Sequence, residues 1–234
     1  MHPRTTMPTP TDASVAVGIS RRIRYLLVAV VLAWVALVAV RTWVVDWFVV
    51  PTDSMEPLLR PGQRILVDKH VDQRAGAVRR GDVIVFDGTR TFGTVDERPL
   101  ALQVLGRALG ASPGHHAVKR VVGVGGDHVR CCDEQGRITV DGRPLEEPYV
   151  HPGDTPSAVR FDVVVPPGRL WVLGDHRSRS ADSRARLGSP GGGLLPERDV
   201  TGRVTRVLWP PGQWRAVAAR PDLMTLEEPD DRRA

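Results

Sequence analysis

Cysteine is nearly absent: 234 residues contain two, Cys131 and Cys132, and they are neighbours. Together with His115 and His116 they lack the ligand spacing of a zinc site, so no metal centre is expected from them. As adjacent residues they leave three states open: a free pair, a bridge to another chain, or a strained bond with each other. A basic block is also missing. The net charge of +5 is spread along the chain and no recognised nucleic-acid motif accompanies it, which excludes nucleic acid as the expected partner. No internal repeat occurs, and no alternation of strand with helix, which argues against a parallel α/β sheet. Residues 1–20 are short of large apolar side chains and read as a disordered lead.

Long apolar runs are absent too, with one exception. Tyr25 to Val40 carries no charged side chain and no polar one apart from the tyrosine hydroxyl. Counted from Ile23, the run makes about 27 Å of helix, close to the ~30 Å hydrocarbon core of a bilayer. Arg21, Arg22 and Arg24 precede it, which predicts a cytoplasmic N-terminus and an extracytoplasmic remainder. Arg41 can snorkel, and Trp43, Trp47 and Phe48 are expected at the far interface. A cleaved leader would look similar, but no Ala-x-Ala triplet occurs between Tyr25 and Val50. A buried core helix would show a polar face, and none exists. The reading is an uncleaved anchor over 23–45, and the mild positive charge suits anionic lipid.

Twenty prolines and twenty-three glycines suit short strands better than long helices. Strands are expected at Gln63–Asp68, Val83–Phe86, the segment from Lys119 to Gly123, Phe161–Val165, Leu170–Leu173 and Gly202–Leu208. Val129–Tyr149 reads as a β-ribbon with a turn at Asp141-Gly142. Leu100–Leu109 is expected to form a short helix. The fold class is mainly β, antiparallel or mixed.

Ser54 stands in Val49-Val-Pro-Thr-Asp-Ser-Met-Glu-Pro-Leu-Leu59, just beyond the apolar run, and Lys119 in Ala117-Val-Lys-Arg-Val-Val-Gly-Val124. A serine hydroxyl becomes a nucleophile when a base takes its proton. A lysine can be that base only when neutral, which requires its pKa to fall roughly 3 units from ~10.4. Burial among Val118, Val121 and Val122 would supply such a shift, and strand alternation points Arg120 away from Lys119. Local sequence alone leaves an ordinary solvated lysine equally open.

Three segments together carry a resemblance. Pro51-Thr-Asp-Ser-Met-Glu-Pro57, Lys119-Arg-Val-Val-Gly-Val-Gly-Gly-Asp127 and Gly174-Asp-His-Arg-Ser-Arg-Ser-Ala-Asp-Ser-Arg184 resemble, in order, the motifs of the type I signal peptidases. Asp141-Gly-Arg-Pro-Leu-Glu-Glu-Pro-Tyr149 is similar to a further family stretch. The resemblance runs from Trp47 to about Trp209.

It implies a signal-peptidase-like β catalytic domain with a small inserted β-ribbon, behind one transmembrane helix. It makes Ser54 the nucleophile and Lys119 the general base, with Ser180 bonded to the lysine amine. Asp182 and Arg184 would pair beneath the site, and Asp175 and Arg177 would support that loop. The Ser54 N–H and the Thr52 hydroxyl would hold the oxyanion, and Val50 and Val118 would line small substrate pockets. The implied substrates are secretory preproteins cut after small-x-small sequences, with no cofactor and no metal. The organisation that follows is a cytoplasmic lead over 1–22, an anchor over 23–45, a protease domain over 46–220 with its ribbon at 128–170, and a tail over 221–234.

Several positions depart from the family pattern. Thr52 keeps a donor hydroxyl where serine is commoner, Leu58 replaces a frequent threonine, and Val124-Gly125 replaces a common Leu-Pro. His176 stands for the usual asparagine. A Ser54–His176–Asp175 triad is disfavoured, because adjacent residues of a strand point to opposite faces. A Ser-x-x-Lys enzyme is excluded by Pro57. A related Ser/Lys protease with a dedicated substrate and an inactive membrane-anchored binding protein are the remaining alternatives.

Overall fold

The structure is a computed structural model that describes residues 21–43, 45–69, 78–93, 99 and 115–217. The lead over 1–20, the helix expected at Leu100–Leu109 and the tail over 221–234 lie outside the described residues. The chain divides into two compact units, Met1–Val40 and Arg41–Ala234.

The first unit holds most of the helix α1, Arg21–Trp43. Neither glycine nor proline interrupts it, and no polar stripe marks a side to face a core. Ile23, Tyr25, Leu26, Val31 and Trp34 are all at least half exposed. Its side chains are described to Ala36 only, and among the described residues no helix is long and apolar enough to cross a membrane.

The second unit is mainly β. Its strands are β1 (Val45–Val49), β2 (Arg64–Asp68), β3 (Val83–Asp87), β4 (His116–Gly123), β5 (His128–Cys131), β6 (Ile138–Val140), β7 (Arg143–Pro144), β8 (Phe161–Val164), β9 (Arg169–Leu173), β10 (Leu195–Pro196), β11 (Val200–Trp209) and β12 (Arg215–Ala216). A one-turn helix, α2, spans Thr89–Phe92. One sheet runs β1-β2-β11-β3-β4-β9-β10, with β12 on β11, and a smaller sheet runs β7-β6-β5-β8. Every pairing is antiparallel.

β1 corrects the expectation for its residues. From sequence, Trp47 and Phe48 belong at a bilayer interface. Phe48 is instead 5% exposed within the β core, and Trp47 stacks under the Arg64 guanidinium, 5.1 Å from ring centroid to carbon. The β-branched residues around them, with Trp47 and Phe48 paired to Leu66 and Ile65 of β2, favour a sheet edge over a helix end.

β3 shows why the middle of the large sheet reads as a continuous apolar run. Val83 and Val85 enter one core cluster with Val50, Met55 and Val118. Ile84 and Phe86 enter another, with Phe92, Val121, Leu170, Val172 and Leu195. β3 therefore alternates with period two between two apolar layers, and neither face meets water. β4 beside it is buried from Val118 through Gly123 for the same reason.

In the small sheet, the turn between β6 and β7 forms at the expected Asp141-Gly142, both with positive φ (52° and 76°). Of the states left open for the cysteines, the structure has Cys131 bonded to Cys132.

Candidate active site

The segment after β1 is a series of tight turns fastened at both ends. Val50 N–H donates to the Gln63 carbonyl at 2.9 Å, and Gly62 N–H returns to the Val50 carbonyl at 2.9 Å. Within the loop, Leu59 N–H donates to the Met55 carbonyl at 2.8 Å, and both side chains are buried in the core. Ser54 is thereby held on a short, anchored turn, itself 5% exposed.

Lys119 comes from the middle of β4, paired across to Ile84 of β3. Its amine lies 2.8 Å from Ser54 Oγ and donates a second bond, of 3.1 Å, to the Val118 carbonyl. Thr52 Oγ1 is 3.1 Å from the same Ser54 oxygen. Burial lowers the Lys119 pKa to about 8; Asp182 and Asp175 pull it back up, and Arg184 opposes them. The hydroxyl and the amine, 65 residues apart in sequence, are in direct contact.

A charged scaffold lies beneath this pair. Arg184 Nε and Nη2 grip the two oxygens of Asp182 at 2.8 and 2.7 Å, and Asp182 also accepts from Gly174 N–H at 3.0 Å. Arg184 Nη2 further donates to the Arg177 carbonyl at 2.9 Å. Asp175 is held bidentately by Arg120, at 2.8 and 2.6 Å, and Arg120 also caps the Gly81 carbonyl at 3.0 Å. Arg177 donates to both Glu147 oxygens, at 3.2 and 2.6 Å, and to the Gly174 carbonyl at 3.0 Å. Tyr149 donates to Glu147 at 2.7 Å and lies under the Arg120 guanidinium, 4.1 Å away. Burial, then the Glu147 charge, push the Tyr149 phenol well up, so it stays a neutral donor. Fork-to-carboxylate pairs of this kind are geometrically specific as well as strong.

Arg120, Glu147 and Tyr149 are not singled out as site residues by sequence alone. The strand alternation that turns Arg120 away from Lys119 gives no sign that Asp175 waits on the other side. The one available signal for Glu147 and Tyr149 is their position in the fourth family-like stretch.

Ser180 departs from expectation. Its hydroxyl is buried with no hydrogen-bond partner among the described residues, and the lysine amine bonds the Val118 carbonyl instead. Ser180 packs closely on Gly174: a Cβ built at residue 174 would come within 2.5 Å of the Ser180 Cβ. Val50 and Val118 are 2% and 6% exposed and share one cluster with Met55. His176 N–H donates to the Ser54 carbonyl at 3.1 Å, while both Asp175 oxygens are taken by Arg120. Asp175 is thus committed away from His176.

Known proteins resemble this chain along most of its length. Residues 22–209 match the family described as signal peptidase, peptidase S26. Signal peptidase I of Mycobacterium tuberculosis (strain CDC 1551 / Oshkosh) is 38% identical, with 81% of this chain and 72% of the relative covered. A probable signal peptidase I of Mycobacterium leprae (strain TN) is 36% identical, covering 76% and 73%. A crystal structure of a signal peptidase I from Enterococcus faecalis V583 aligns with 54% of this chain and 96% of its own, at 24% identity and a TM-score of 0.36. On the family match and the mycobacterial identities, the chain belongs to the peptidase S26 family of signal peptidases.

Proposed function

We propose that this type I signal peptidase cuts secretory preproteins with Ser54 as nucleophile and neutral Lys119 as general base. The observation that carries the reading is the 2.8 Å approach of a buried amine to the Ser54 hydroxyl. Ser54 O–H donates its proton to the lysine nitrogen while Oγ attacks the scissile carbonyl. The resulting oxyanion is held by the Ser54 N–H and the Thr52 hydroxyl. The lysine ammonium then gives its proton to the leaving amine, and water, deprotonated by Lys119, releases the acyl group. Asp182 with Arg184, and Asp175 with Arg120, hold the loop after β9 that packs against the Ser54 turn. Arg177 does the same through Glu147. Ser180 supports this loop through its packing on Gly174.

Val50 and Val118 form the floor of shallow apolar slots that admit Ala, Gly or Ser and exclude larger side chains by overlap. The substrate between the slots lies extended along a strand edge. The apolar run from Tyr25 to Val40 serves as the anchor, with the arginine-flanked side cytoplasmic and the chain after Arg41 extracytoplasmic. Anchoring enzyme and signal peptide in one plane raises their effective concentration.

Full-length protein in detergent is expected to cleave a preprotein with Ala at the residues one and three before the cut, and the Ser54→Ala variant is not. Equal cleavage by both would overturn the nucleophile assignment. Because the base must be neutral, kcat/KM rises about tenfold per pH unit below pH 8 and levels above it. A profile centred near pH 6.5 would assign the base to a histidine instead.

A further inference from the structure

Beside the nucleophile, three side chains that the reaction does not use converge. Glu56, His151 and His176 each offer a ligand atom, and these atoms all lie within 4.8 Å of one another. They come from three separate segments: the Ser54 turn, the loop between β7 and β8, and the loop after β9. Each is fixed by backbone bonds. Glu56 N–H donates to the Asp53 carbonyl at 3.0 Å, His151 N–H to the Asp175 carbonyl at 2.9 Å, and His176 N–H to the Ser54 carbonyl at 3.1 Å.

His176 is oriented by a backbone partner. Its Nδ1 lies 3.3 Å from the Asp53 carbonyl oxygen, which can only accept. With Nδ1 donating there, Nε2 is the nitrogen left to bind a metal, the usual way a metal-ligating histidine is oriented by its other nitrogen. No hydrogen bond or ion pair among the described residues occupies the Glu56 carboxylate.

We propose that Glu56, His151 and His176 bind one Zn²⁺ ion, which ties the nucleophile turn to the two loops that pack on it. Two imidazoles and one carboxylate are a familiar zinc donor set, with the fourth position left to water. The rings of His151 and His176 stack at 4.0 Å and 7°. Ligation of both rings to one ion requires His151 to turn out of this stack. The hydrolytic reaction passes no step through this ion, so the site does not depend on the protease reading.

The test uses full-length protein in detergent, stripped with EDTA and titrated with Co²⁺ as a visible probe, then with Zn²⁺. The expected result is one Co²⁺ per chain, displaced by Zn²⁺. Losing an orienting partner alone costs ten- to a hundredfold in affinity, so Glu56→Gln and His151→Ala should each cost at least about tenfold. Zinc at about 100 times the natural protein's Kd should raise its Tm by several degrees, and that of His151→Ala at the same zinc concentration by about half as much or less. Variants are compared only after each unfolds cooperatively in EDTA. Absence of saturable Co²⁺ binding overturns the proposal. So does binding that survives in both variants, or that is abolished instead by replacing His115 and His116.

Discussion

Replacing Lys119 with methionine removes cleavage and makes the protein more stable at pH 7. The first effect follows from losing the base, roughly a thousandfold or more in kcat/KM. The second follows from burial. The amine has a pKa of about 8 in the folded protein, against about 10.4 in an unfolded chain. Keeping it protonated at pH 7 in that surrounding costs on the order of 3 kcal/mol. Its bond to Ser54 returns about 1 kcal/mol, so an apolar side chain of similar length comes out ahead. A gain of about 2 kcal/mol raises Tm by roughly 4 °C or more in a chain of this size.

The sign has a pH signature. Below pH 8 the folded and unfolded chains both hold the proton, and the penalty is full. Between pH 8 and 10.4 the unfolded chain binds the proton more tightly, so stability of the natural protein rises with pH. The advantage of the methionine variant therefore shrinks across that window. Thermal unfolding at pH 7 and pH 10, beside a cleavage assay, checks both parts. A variant that is inactive and also less stable at pH 7 would mean that the lysine is not under strain.

Gly174→Ala is expected to lower kcat/KM about a hundredfold with no change in any charged or hydroxyl group. A Cβ there would lie 2.5 Å from the Ser54 carbonyl oxygen and 2.5 Å from Ser180 Cβ, and closer still to Ser180 Oγ. One of these neighbours is backbone of the nucleophile itself. Gly174 cannot retreat, because its N–H is bonded to Asp182 and its carbonyl to Arg177. Ser54 must therefore shift relative to Lys119, and misplacement by about 1 Å costs on the order of a hundredfold. Gly212→Ala is the control, since a Cβ there meets nothing within 4 Å. Equal activity of the two variants would show that the Ser54 turn is free to move.

The reacting pair is legible in the sequence because each residue sits among neighbours that make its chemistry unusual. Ser54 lies in a proline-bounded turn and Lys119 in an apolar strand. The central strands are legible for the same reason, as apolar runs bounded by Gly81 and Gly123. What cannot be read depends on contacts between distant segments. Arg120 finds Asp175 across 55 residues, and Arg177 finds Glu147 across 30. No local period encodes either pairing. β10 and β12 hold two residues each, too few to show alternation. Phe48 is misplaced by sequence because an aromatic residue just past an apolar run looks the same whether it meets lipid headgroups or a β core.

Everything rests on the lowered pKa of Lys119, and the sequence makes it directly measurable. Only two lysines occur in the chain, Lys69 and Lys119. Lysine labelled with ¹³C at Cε, in full-length Lys69→Arg protein in detergent, leaves a single signal to follow by NMR as pH is raised. A midpoint near 8 is the predicted result. A midpoint near the unperturbed ~10.4 would contradict the account, because fewer than about one amine in a thousand would then be neutral at pH 7, against roughly one in ten for a midpoint near 8.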